Sequence, residues 1–277
     1  MMVYLDYTQQ DLDERVFNTR LTGADPQAIL RRFDEASRMA RERLGARTER
    51  YGPLAEQLLD VFPSVSGKGP IHVFVHGGAW RSLGRQSFGF LAPPFVEQGA
   101  SFVAIDFAQI PQATLSEMCS QVGEALRWVF GNASSFGGDA AQVFISGHSS
   151  GGHLAALTLA RAGRQLKGGV LLSGLYDLVP VLMSRDFAHV RVASADFAAL
   201  TPMQNAAKVA APVILAYGER DAVEAGRQAR SFEAALRRAG RQAELVEISG
   251  ANHWTVVESL ARLALPQMGL VVSKGNP

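Results

Sequence analysis

Apolar positions along this chain change rhythm near residue 64. Over residues 1–50 they are sparse and separated by charges. From Pro26 to Leu44, Ile29, Leu30, Phe33, Met39 and Leu44 recur at the spacing of an amphipathic helix. A mainly helical N-terminal extension packed on the rest is expected. Tyr51-Gly52-Pro53 breaks the pattern, residues 57–62 can form an early strand, and the Gly- and Ser-rich stretch 64–70 is a turn. Beyond it, short and almost continuous apolar runs predict strands at 71–76, 101–107, 142–146, 168–172, 212–217 and 243–248. Helical patterns fall between or after them at about 114–130, 150–162, 226–239 and 253–263. Strands that read as unbroken hydrophobics are buried on both faces. Their alternation with helices predicts a mostly parallel central sheet with helices on each side. The irregular stretch 177–208 is expected to form a small cap within a single domain covering 1–277.

The run at 142–146 leads into Gly147-His148-Ser149-Ser150-Gly151-Gly152 and then directly into a helical pattern. In this strand–turn–helix setting, G-x-S-x-G is a nucleophile elbow, the signature of an α/β-hydrolase fold. The glycines flanking Ser149 remove side chains that would collide in so sharp a turn. The hydroxyl is left near a helix N-terminus, where developing negative charge is favoured. Ser149 is therefore the expected nucleophile. Ser150, one residue past the apex, is better placed to offer its backbone N–H.

A serine needs a base, and the base needs an orienting carboxylate; this fold supplies them in the order Ser, acid, His. Downstream of Ser149 lie His153, His189 and His253. His153 falls inside the following helix and His189 in the irregular stretch. His253, in Gly250-Ala251-Asn252-His253-Trp254, follows the last predicted strand and is the expected base. The acid should follow the strand at 212–217, where the loop reads Gly218-Glu219-Arg220-Asp221. Asp221 is preferred, Glu219 is the runner-up, and Asp177 is a weaker third candidate. His76-Gly77-Gly78-Ala79-Trp80 follows the first clear strand and reads as an oxyanion loop. Gly78 and Ala79, with Ser150, are the expected N–H donors. His76, Gly77 and Trp80 are expected to support that loop, and Phe88 and Trp254 to line a substrate pocket.

Composition narrows the setting. The 277 residues are 47% hydrophobic and 19% charged, with 27 basic against 26 acidic residues and a net charge of +1. That is ample material for a core, with no basic footprint for nucleic acid. The single cysteine, Cys119, excludes an intrachain disulfide and reads as a packing residue. There is no signal-like N-terminus and no run long enough to span a membrane. The expected setting is cytoplasmic, with no membrane partner, a small-molecule substrate, and a homodimer as the default assembly. Neither a metal nor another cofactor is expected, because the histidines show no ligand spacing and Gly147–Gly152 lacks dinucleotide-binding spacing.

With these residues in view, the chain resembles the kynurenine formamidases (arylformamidases) and related esterases. The resemblance rests on His76-Gly77-Gly78-Ala79-Trp80, the segment Pro111 to Glu117, the elbow Gly147 to Leu154, and the placement of Asp221 and His253. Arg227-Gln228, Ser231-Phe232 and the start Phe17-Asn18-Thr19-Arg20 add to it. It implies hydrolysis of an aryl formamide such as N-formyl-L-kynurenine, on a route of tryptophan breakdown, or cleavage of small aryl or alkyl esters. The residues 106–110 lack the tyrosine often found there. A non-catalytic binding protein of the same fold is the contrasting reading, disfavoured because triad and oxyanion glycines are all present.

Overall fold

The computed structural model describes residues 1–19 and 25–271. β1 (Met2–Tyr4) and β2 (Tyr7–Thr8) form a small antiparallel ribbon, followed by α1 (Gln9–Glu14). α2 (Pro26–Arg43) starts at an Asp25 cap, and the chain then alternates. Next come β3 (Arg47–Arg50), β4 (Leu58–Phe62), β5 (Gly69–Val75), α3 (Pro93–Glu97) and β6 (Ser101–Ile105). They are followed by α4 (Leu115–Asn132), β7 (Gly138–His148), α5 (Ser150–Ala162) and β8 (Leu166–Leu172). The short helices α6 (Leu178–Met183) and α7 (Phe197–Leu200) precede β9 (Val213–Arg220), α8 (Val223–Arg238), β10 (Ala243–Asn252) and α9 (Leu260–Gln267).

The main sheet has eight strands in the order β10-β9-β8-β7-β5-β6-β4-β3. β4 runs against both of its neighbours, and every other pairing is parallel. Side-chain alternation divides the core between the two faces. On β5, Ile71, Val73 and Val75 meet one layer, with Met118 and Val122 of α4 and Leu154 of α5. Phe74 faces the other, with Phe33 of α2, Phe95 of α3 and Leu260 of α9. This is the α/β-hydrolase fold. Among the described residues, no helix is long and apolar enough to cross a membrane.

The N-terminal extension differs from its expected form. Only α2 matches the amphipathic pattern, and it stacks Phe33 on Phe90 at 4.3 Å. The first eight residues contribute a ribbon, and Arg47–Arg50 adds an edge strand. Its sequence, Arg-Thr-Glu-Arg, carries no apolar alternation because an edge strand faces water, so no hydrophobic signal marks it. α1 instead leans on the stretch 177–208: Ser184 donates to the Leu12 carbonyl at 2.7 Å, and Gln9 donates to that of Met183 at 2.8 Å. That stretch contains α6, α7 and 3-10 turns at Arg185–Phe187 and Pro202–Lys208. Arg20, the last residue of the N-terminal motif, lies outside the described residues.

Candidate active site

Ser149 sits between β7 and α5 with φ 54° and ψ −121°. A non-glycine residue in this conformation is costly and persists only where the surroundings impose it. Here the chain must reverse from strand to helix with no room. A Cβ on Gly147 would collide with the Gly151 carbonyl, and one on Gly151 with the carbonyls of Val75 and His76. The Ser149 N–H is bound to the Leu172 carbonyl at 2.9 Å, which anchors the apex to β8. Ser150 is buried, and its hydroxyl accepts the Trp80 N–H at 3.2 Å. Its backbone N–H belongs to the first turn of α5, where helix donors lack intrahelical partners.

His253 and Asp221 meet as expected. His253 Nδ1 donates to Asp221 Oδ1 at 2.9 Å, leaving Nε2 as the ring nitrogen available to a hydroxyl. The carboxylate is well held: Oδ1 also accepts the Ala222 N–H at 2.7 Å, and Oδ2 accepts the Ser173 hydroxyl at 2.5 Å. Burial pushes the Asp221 carboxyl up. The charge and hydrogen bond of His253, with the bonds from Ser173 and Ala222, outweigh it and hold the group below the usual carboxylate range. The rival acids are engaged elsewhere. Glu219 is exposed and accepts the Ser249 hydroxyl and the Gly250 N–H at 2.9 and 2.7 Å. Asp177 caps α6 through Val179 and binds Arg227 at 3.3 Å and the Tyr4 hydroxyl.

The loop expected to form the oxyanion hole has unusual backbone geometry, with Gly78, Ala79 and Trp80 all at positive φ, of 116°, 51° and 59°. For the two non-glycine residues this stores strain of about 1–3 kcal/mol each. Each carbonyl in the turn is held. Gly77 accepts from His76 Nδ1 at 2.8 Å, Gly78 from the Arg81 and Ser82 N–H groups at 3.1 Å, and Ala79 from His189 Nε2 at 2.7 Å. The Trp80 N–H is spent on Ser150, so the N–H groups of Gly78 and Ala79 are the ones this loop can turn toward a substrate oxygen. His76 Nε2 lies 3.1 Å from Asp106 Oδ1, and Asp106 is in turn bound by Arg85. His76 thus adjoins an ionic network that runs through Asp106 and Arg85 to Asp60 and Arg41.

Ser149, His253, Gly78 and Ala79 border one cavity of about 290 Å³. Its apolar wall includes Phe17, Leu30, Leu175, Phe187 and Trp254, and Arg81 and Asp186 bring opposite charges to it. Trp254 lines this cavity. Phe88 does not: it is buried 5.1 Å from Phe74, because the 3-10 turn Arg85–Leu91 aims its ring into the layer beneath α2. Trp80 is also buried, edge-on to His153 at 5.2 Å, and supports the loop from behind. His153 packs inside the fold as expected, bound to the Leu200 carbonyl at 2.8 Å.

Four contributors escaped sequence reasoning. His148 donates from Nε2 to the His253 carbonyl at 2.7 Å, and burial lowers its pKa to about 3. Ser173 directly follows β8 and anchors Asp221. Asn252 accepts the Trp254 and Thr255 N–H groups and shapes the His253 turn. His189 reaches the oxyanion loop from 110 residues away. The position of Ser173 at the carboxyl end of a strand was a usable signal; the other three had none. Among the described residues no group of three His, Cys, Asp or Glu could hold a metal ion.

The chain matches the model of the prolyl oligopeptidase family over residues 125–265 and that described as BD-FAE over 59–170. It is 30% identical to the kynurenine formamidase of Danio rerio, over 76% of this chain and 75% of that protein. An isoprenylcysteine alpha-carbonyl methylesterase of Arabidopsis thaliana is also 30% identical, over 73% of this chain and 55% of the other. Among solved structures, a putative thioesterase from a Silicibacter species superposes with a TM-score of 0.79 at 23% identity, covering 91% of this chain and 95% of its own. A hyperthermophilic esterase from Pyrobaculum calidifontis gives 0.70 at 19%, covering 94% and 95%. These two likenesses speak for the fold. Fold, elbow and relatives together define a serine-type α/β-hydrolase. Within that class the chain belongs to the family of kynurenine formamidases and related esterases.

Proposed function

We propose that Ser149, His253 and Asp221 form the catalytic triad of an enzyme that cleaves an aryl formamide of the N-formyl-L-kynurenine type. The proton of Ser149 Oγ passes to His253 Nε2 as Oγ bonds to the formyl carbon. The carbonyl oxygen takes up the negative charge against the N–H groups of Gly78, Ala79 and Ser150. His253 then gives its proton to the departing arylamine nitrogen as the C–N bond breaks. Water, deprotonated by the same ring, releases formate from the acyl-serine. Asp221 holds the tautomer and the imidazolium.

The observation that carries the substrate reading is the wall of the cavity. Aromatic Phe17, Phe187 and Trp254 suit an aryl group, and Arg81 and Asp186 offer opposite charges to the carboxylate and ammonium of an amino-acid head. The curated relatives called kynurenine formamidase point the same way. A carboxylesterase acting on small esters is the second reading, favoured by the esterase relatives and by machinery that serves both bonds. The test compares kcat/KM for N-formylkynurenine, for formanilide, which lacks the amino-acid head, and for p-nitrophenyl acetate. The formamidase reading expects N-formylkynurenine to lead formanilide by at least tenfold. An ester that exceeds both formamides by orders of magnitude overturns it, and Ser149→Ala should abolish every activity.

A further inference from the structure

The expected oxyanion loop is strained, and its own residues bind the Gly77 and Gly78 carbonyls, while the peptide that joins Ala79 to Trp80 is held from outside the loop. Ala79 and Trp80 sit at φ 51° and 59°, where non-glycine residues rarely stay unless neighbours impose the conformation. The peptide joining them is gripped at both ends. Its N–H goes to the Ser150 hydroxyl at 3.2 Å, a grip supplied by the elbow itself. Its carbonyl takes the His189 Nε2 hydrogen at 2.7 Å, a grip supplied by the irregular stretch between β8 and β9.

The His189 ring is fully committed. A carbonyl only accepts, so Nε2 carries the hydrogen. Arg81 Nη1 lies 3.2 Å from Nδ1 and can only donate, so Nδ1 offers its lone pair. The ring is therefore neutral and oriented from both sides, with Phe187 at 6.3 Å alongside. Losing this grip would free the peptide 79–80 to rotate toward an unstrained conformation. The N–H of Ala79, on the preceding peptide, would turn with it, and that is a group assigned above to the oxyanion.

We propose that His189 is a positioning residue for the oxyanion hole, so that the stretch 177–208 acts in catalysis by shaping the Ala79 turn. The inference rests on the oxyanion role given to Gly78 and Ala79 under the proposed function, but not on the choice between formamide and ester. It predicts a defect specific to the tetrahedral state, in which charge gathers on the carbonyl oxygen.

The experiment compares wild-type protein with His189→Ala and His189→Gln on p-nitrophenyl acetate, and measures inhibition by an aryl trifluoromethyl ketone, which forms a tetrahedral adduct with the serine. Gln places an amide N–H near the position of Nε2. His189→Ala should lower kcat about 10- to 100-fold, a share of the 10²–10³ that outright loss of a donor costs. KM should change less than about threefold, the ketone inhibition constant should rise by the same factor as kcat falls, and Gln should recover most of the loss. Retention of kcat and ketone affinity in His189→Ala overturns the proposal. So does a loss that tracks a lowered melting temperature and that Gln does not repair, which marks a merely structural contact. Fluorophosphonate labelling separates the two levels. A wild-type protein that is not labelled at Ser149 defeats the triad assignment, whereas a labelled protein indifferent to His189→Ala defeats only this inference.

Discussion

His148 donates a hydrogen bond from Nε2 to the backbone carbonyl of His253 at 2.7 Å, with the two rings 4.8 Å apart. The residue immediately before Ser149 thus ties down the backbone of the residue proposed as its base. Since a carbonyl accepts, His148 is the Nε2–H tautomer. Burial, reinforced by the nearby His253, depresses its pKa to about 3 and keeps it neutral throughout the working range. Misplacement of a catalytic group by about 1 Å can cost on the order of 10²-fold. His148→Ala should accordingly lower kcat by about 10- to 100-fold and leave KM nearly unchanged. Steady-state kinetics on p-nitrophenyl acetate read this, and an unaltered kcat would show that the tether is idle.

The two loop carboxylates should separate cleanly. Asp221→Asn replaces one acceptor oxygen by an NH2 donor and removes the charge that selects the His253 tautomer, and a loss of about 10³- to 10⁴-fold in kcat is expected. Glu219 holds the Ser249–Gly250 turn from the surface. Glu219→Gln should stay within a few-fold of wild type. Comparable losses in both variants would contradict the assignment of the acid.

Phe88 and Trp254 make a second contrast. Phe88 lies in the core beside Phe74 and Phe90, away from the cavity. Phe88→Leu should cost about 1 kcal/mol of stability in urea unfolding and leave KM alone. Trp254 borders the cavity. Trp254→Ala should raise KM for aryl substrates severalfold at little cost in stability. A KM effect from Phe88→Leu without a stability effect would reverse their roles.

Acid should weaken the fold well before its carboxylates titrate. Burial holds His72 and His148 near pKa 3 and His153 near 4, against 6.5 for a free side chain. Below pH 6.5 the unfolded chain takes up protons at these sites that the folded chain refuses. Stability therefore falls as pH drops from 6.5 toward 4, by roughly 2 kcal/mol per histidine at pH 5. Asp106 and Asp221, held below the usual carboxylate range, act lower down: their contribution is present above about pH 3.9 and is lost as pH falls through their folded pKa values. Urea unfolding from pH 7.5 to 4.5 should show the decline, with His72→Asn losing about a third of the slope. A flat profile between pH 7 and 5 would mean these rings are not buried as neutral groups.

The sheet was legible because β5, β6, the second half of β7 and most of β8 are buried on both faces, and such strands must be apolar almost without break. The elbow was legible because its geometry leaves no room for a side chain at Gly147 or Gly151, two positions to either side of Ser149. β3 was not, since an edge strand of Arg-Thr-Glu-Arg satisfies its outer side with water. The first eight residues escaped for a related reason, their contacts being with the stretch 177–208 and α8 rather than with a local apolar face. Phe88 was misread because an aromatic side chain near a glycine loop has the same sequence signature whether it faces a cavity or a core.

By itself, the sequence determined the strand–turn–helix that makes a serine protrude, the glycines of the oxyanion turn, and the chain order that leaves Asp221 and His253 as partners. The first two are local demands, each met by residue types a few positions apart, and the third is an order along the chain that leaves few candidates. Tertiary structure alone decided what holds those groups in place: His148 on His253, Ser173 on Asp221, and His189 on Ala79, joined across 105, 48 and 110 residues. It also decided that Phe17 and Leu30 border the same cavity as Ser149. A hydrogen bond depends on distance and direction in space, and a serine or histidine that forms one leaves no periodic trace along the chain.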